Sequence, residues 1–93
     1  MNKFLVIRFE YCKLVYNSLI LCKAKNDGVE YRITVMNGDL EKLLFGNHII
    51  KEENGCLQLG TCENKEQEIL KARIAKALGK VLGIPLQEQF AYT

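Results

Sequence analysis

Two turn signals, Asn26-Asp27-Gly28 and Asn54-Gly55, interrupt stretches of alternating apolar and polar residues, and they restrict the chain more than any other feature. Asn, Asp and Gly accept the positive φ angles that tight reversals need, so each signal marks a β-hairpin. The flanking arms agree. Val29, Tyr31, Ile33 and Val35 alternate with Glu30, Arg32, Thr34 and Met36, the pattern of a strand with one buried and one wet face. The first hairpin therefore spans 19–25 and 29–36, ended by Asn37-Gly38, and the second spans 48–60. Residues 3–16 supply a further strand, in which Ile7, Phe9 and Tyr11 oppose Arg8, Glu10 and Cys12. Asn17-Ser18 marks the turn that follows it.

Helices fill the remaining gaps. Asp39 is expected to cap a short helix carrying Leu40, Leu43 and Leu44, closed by Gly46. A longer helix starts at Asn64, with Gln67 completing a capping box and Glu66 and Glu68 in its first turn. Gly83, Ile84 and Pro85 end it, because glycine permits a left-handed stop and proline cannot continue. Leu70, Ile74, Ala77, Leu78 and Val81 fall on one helical face and are expected to cover the sheet. The order is β-β-β-α-β-β-α, an α+β fold with an antiparallel sheet of about five strands and the long C-terminal helix packed on one face. Ninety-three residues make one such domain, 1–93, with 86–93 as a loosely packed tail in which Leu86, Phe90 and Tyr92 offer apolar surface.

Composition narrows the class of function. A 48% hydrophobic and 26% charged chain is not disordered, and a net charge of +2 excludes a highly basic nucleic-acid coat. Cys12, Cys22, Cys56 and Cys62 include no C-x-x-C pair, and His48 is the single histidine, so neither a metal site nor a cofactor is expected. Four scattered thiols fit a reducing cytoplasmic setting. The apolar run at Phe4-Leu5-Val6-Ile7 is broken by Arg8, Glu10 and Lys13 before it reaches signal-peptide length. No apolar run approaches the roughly 18 residues needed to span a membrane.

Two constellations could carry function. On a helical wheel Lys65, Arg73, Lys76 and Lys80 lie within about 80° of one another, a basic stripe beside the apolar face. Lys76 and Lys80 repel as an i,i+4 pair, and a phosphate backbone would relieve that repulsion. Cations near a helix C-terminus also complement its dipole without any ligand. The second constellation is His48, a candidate general base with Glu52 and Glu53 nearby in sequence. The stretch from Gly46 through Asn54-Gly55 into the C-terminal helix resembles small messenger-RNA-cleaving toxins built on the double-stranded-RNA-binding fold. The N-terminal helix of that family is replaced here by strands, so no residue role is transferred.

The preferred reading is a small non-catalytic interaction module that associates with a protein partner or with itself as a homodimer. An open sheet leaves edges that closure, cover or a partner must protect, and a small core gains from added burial. The alternatives are nucleic-acid binding through Lys65, Arg73, Lys76 and Lys80, and a small hydrolase or nuclease using His48.

Overall fold

The computed structural model describes residues 3–87. It contains β1 (Lys3–Tyr11), β2 (Leu14–Lys25), β3 (Gly28–Val35), α1 (Gly38–Leu44), β4 (Ile49–Glu53), β5 (Cys56–Gln58) and α2 (Lys65–Leu82). The five strands form one antiparallel sheet in sequential order, curled around α2 on its inner face. The order and packing are those expected from the hairpin signals and the bracketed long helix. Alternation sets the inner face: Ile7 and Phe9 on β1, Ile20 on β2 and Tyr31, Ile33 and Val35 on β3 are buried, whereas Arg8, Glu10 and Arg32 are exposed. Leu70, Ile74 and Leu78 from α2 complete this core, with Leu40 and Leu44 from α1.

The first reversal lies elsewhere than Asn17-Ser18. Cys12 and Lys13 form the β1–β2 turn, with φ of 51° and 66°. Left-handed backbone costs non-glycine residues about 1–2 kcal/mol each. What offsets it is continuous pairing, since all 9 residues of β1 pair with β2 in one unbroken register from Lys3↔Cys22 to Tyr11↔Leu14. Asn17 and Ser18 are ordinary strand residues whose polar groups are used. The Ser18 hydroxyl, fully buried, donates to Thr34 O at 3.1 Å, and Met36 N–H donates to Asn17 O at 3.0 Å. The β2–β3 turn is where Asn26-Asp27-Gly28 put it. A side chain at Gly28, with φ of 152°, would run into the backbone carbonyl of Glu52 on β4.

The cap of α1 lies two residues before the expected one, and α2 starts at its expected cap without the full capping box. Asn37, rather than Asp39, caps α1 by accepting from Leu40 N–H at 3.1 Å, and Asp39 occupies the first turn. Asn37 has the extended φ of −161° that a cap requires, which Asp39, already helical, lacks. Asn64 does cap α2, accepting from Gln67 N–H at 2.8 Å. The Gln67 side chain does not reach back to Asn64, because it is fully buried and bonded to other groups.

The C-terminal stop of α2 is built as read. Gly83 is left-handed with φ of 73°, and the N–H groups of Gly83 and Ile84 both donate to Gly79 O, at 2.7 and 2.9 Å. The chain then folds back so tightly over Gly79 that a Cβ there would strike the Ile84 carbonyl oxygen. The returning segment lies along β5: Leu57 N–H donates to Pro85 O and Gln87 N–H donates to Leu57 O, both at 2.8 Å, giving a parallel bridge between Leu57 and Leu86. The start of the expected loose tail is thus docked, while Phe90 and Tyr92 lie outside the described residues. The buried arc of α2 includes Ala75 and Gly79, whereas Ala77 is half-buried and Val81 is 61% exposed instead of covering the sheet.

Candidate interaction surface

The outer flank of α2 and the returning segment enclose a groove of about 780 Å³. Ile69, Ala72, Ile84 and Leu86 give it apolar walls, and Arg73, Lys76 and Lys80 line one side. Positions 73, 76 and 80 are three and four residues apart, so a helix presents them on one flank. The opposite wall exists only because Gly79 admits the Ile84 backbone and Pro85 turns the chain out of the helix. Glu68 is the one acidic residue in the lining. The structure therefore gathers Arg73, Lys76 and Lys80 of the basic stripe around one concavity. Lys65, exposed at the first position of α2, is not part of it.

On the inner flank of α2 lies a polar cluster. Lys71 is 1% exposed, and its Nζ donates to Asn47 Oδ1 at 2.7 Å and to Leu59 O at 2.5 Å. Asn47 Nδ2 in turn donates to Thr61 O at 2.8 Å and to Gln67 Oε1 at 3.0 Å. Gln67 Oε1 also accepts from Glu63 N–H at 2.9 Å, and Nε2 donates to Leu43 O and Leu44 O at 3.1 and 2.7 Å. The C-terminal end of α1 is thereby tied to α2, because Gln67 satisfies carbonyls that the short helix leaves open. Burial pushes the Lys71 ammonium below the usual lysine range, and burial likewise raises the nearby Cys62 thiol.

Sequence reasoning did not single out Lys71 or Asn47, and it gave Gln67 only a place in the capping box. One signal was available: on the wheel Lys71 falls between Leu78 and Ala75, inside the apolar arc, where a solvated lysine does not belong. Its acceptors were beyond reach, since Asn47 and Leu59 are 24 and 12 residues away along the chain.

His48 is engaged structurally. Its Nε2 stands 3.0 Å from Glu41 Oε1, and Glu41 Oε2 accepts from Val35 N–H at 2.7 Å. Its backbone carbonyl accepts from Ile33 N–H at 2.8 Å, extending the β3–β4 ladder. The acid beside His48 is thus Glu41 of α1, while Glu52 accepts from the Tyr31 hydroxyl at 2.6 Å. Burial, with Glu52 adding to it, holds the Tyr31 phenol well above its ordinary range. His48 lines neither the groove nor the smaller cavity beside Lys71, and no hydroxyl or thiol is hydrogen-bonded to it among the described residues. Cys12 is exposed at its turn, Cys22, Cys56 and Cys62 are half-buried, and all are free thiols. Among the described residues no cluster of three or more His, Cys, Asp or Glu groups has metal-binding geometry, and no helix is long and apolar enough to cross a membrane. In comparisons with known proteins, no family, curated protein or solved structure matches this chain.

Proposed function

We propose that the chain is a non-catalytic interaction module, and that the groove beside α2 receives an acidic, amphipathic segment of a protein partner. The observation that carries this reading is the pairing of apolar walls with Arg73, Lys76 and Lys80 along one side of a single concavity. Apolar side chains entering such a groove gain roughly 25 cal/mol per Å² of surface removed from water. Carboxylates meeting the three cations at the rim contribute chiefly to encounter rate and orientation. A nucleic-acid strand fits less well. Base recognition on single strands relies on aromatic stacking platforms, and none of the groove's lining residues is aromatic. Lys65 also stands apart from the other three cations, which interrupts a continuous track for phosphates.

The test uses the full chain and defined probes: a synthetic peptide alternating leucine and glutamate at helical spacing, the same peptide with lysine replacing glutamate, and single-stranded and duplex oligonucleotides. The acidic peptide is expected to bind and to shift the amide signals of Ile69, Ala72 and Ile84, with binding weakened about tenfold or more by Lys76→Glu/Lys80→Glu. Equal binding of the acidic and basic peptides, or tighter, steeply salt-dependent binding of an oligonucleotide, overturns the proposal; the second result favours the phosphate-binding alternative.

A further inference from the structure

Beyond the groove, a separate polar cavity of about 400 Å³ lies between the β4–β5 hairpin and the loop leading into α2. Lys71 and its hydrogen-bond partners Asn47 and Leu59 stand in its wall, together with Lys51, Glu53 and Gln58. We infer that this cavity is a binding site for a small oxyanion, a carboxylate or phosphate group held by the Lys71 ammonium.

The argument begins with donor counting. A lysine ammonium carries three N–H donors. Two of those on Lys71 are used, by Asn47 Oδ1 and Leu59 O, and both acceptors are neutral. Among the described residues no carboxylate lies within ion-pair distance of Lys71. A nearly enclosed ammonium with one open donor and no countercharge is costly, and it is relieved by losing a proton or by gaining an anion. An oxyanion in the cavity supplies both missing parts, the third acceptor and the negative charge.

The surroundings favour that occupant. Asn47 has committed both amide protons, to Thr61 O and Gln67 Oε1, so its carbonyl oxygen is held toward Lys71 and keeps the Nζ in place. Lys51 adds a second cation to the wall against the single acid Glu53, leaving the lining net positive. The volume sits at the lower end of the roughly 300–1,000 Å³ range typical of small-molecule sites. The thiol of Cys62 near Lys71 is kept protonated by its burial and brings no competing negative charge near neutral pH. Because the anion requires the ammonium form, binding takes up a proton when Lys71 is neutral, and affinity rises as pH falls through the lowered Lys71 pKa.

The experiment is a titration of the full chain, carrying isotope-labelled lysine, with sodium acetate and separately with inorganic phosphate at constant ionic strength, followed by NMR of the Lys71 side chain. The expected result is a saturable change in the Lys71 signal with at least one anion, a titration midpoint moved upward by that anion, and weaker binding at higher pH. The stronger of the two arms identifies the headgroup as carboxylate or phosphate. Gln58→Glu, which adds an acid to the half-buried wall without touching Lys71, is expected to weaken binding about tenfold or more. Lys71→Met, followed on the Lys51 signal of the same wall because the Lys71 signal is lost, abolishes the saturable response, and Lys23→Met, the same loss of charge at an exposed position on β2, leaves it unchanged. No saturable response to either anion overturns the inference. Binding that survives Gln58→Glu undamaged does so as well, even if Lys71→Met fails to fold.

Discussion

Lys71 and Lys76 occupy successive turns of one helix and meet opposite fates. Lys71 is enclosed among Ile74, Ala75 and Leu78 with its ammonium on neutral acceptors, whereas Lys76 is exposed at the edge of an open groove. Residue type does not distinguish them. Position on the helical wheel does, since one lies inside the arc facing the sheet and the other lies nearly opposite it. The two flanks of α2 are therefore separate devices built on a shared backbone: the inner flank supplies packing and a polar tie to α1, and the outer flank supplies a charged wall. Stability should reside almost wholly in the first, and binding of a protein partner in the second.

Substitutions along α2 can break that division. The largest effect is expected at Ile74, fully buried among the sheet residues. Ile74→Ala should lower the unfolding free energy by about 2–5 kcal/mol, through lost transfer energy and a residual cavity, as read by chemical denaturation. Next comes Gly79→Ala, which sets two effects against each other. Alanine gains about 1 kcal/mol of helix propensity. Its Cβ must also displace the Ile84 backbone, and overpacking of that kind costs about 1–3 kcal/mol. Net destabilisation is the expected outcome; a net gain would mean that the returning segment is not seated on α2. The smallest effect belongs to Lys76→Ala, within about 0.5 kcal/mol of the parent. Similar losses for Ile74→Ala and Lys76→Ala would erase the distinction between the flanks.

Local signals explain what could be read ahead of the structure. Asn26-Asp27-Gly28 and Asn54-Gly55 work through their own backbone preferences, and so do the Asn64 cap and the Gly83-Ile84-Pro85 stop; each sits at the predicted turn or helix end. The Cys12-Lys13 turn escaped because nothing in either residue favours φ above zero. Its position is dictated by pairing across the whole of β1, and Asn17-Ser18, the better local turn former, is overruled by that register. The candidate sites divide along the same line. Arg73, Lys76 and Lys80 were legible as a helical stripe, since that pattern needs only the helix. The wall facing them, and the acceptors around Lys71, depend on chain reversals and long-range contacts that no local window contains. Glu41 is a similar case, for its bond to His48 requires α1 to fold back beside the start of β4.

The backbone bonds at Leu57 tie the edge of the sheet to the integrity of the helix. Its N–H and carbonyl are both taken by the segment that α2 sends back, and Gly79 O holds the start of that segment through Gly83 and Ile84. Loss of the last helical turn releases these bonds as a group. Local opening of the C-terminal end then behaves as one cooperative unit in place of independent fraying. In that opened state the groove loses the wall made by Ile84, Pro85 and Leu86 at the same moment that β5 becomes an unprotected strand edge. Occupancy of the groove and protection of the sheet from unwanted strand pairing are thereby thermodynamically linked. A molecule that binds only the closed form holds the β5 edge shut without touching it.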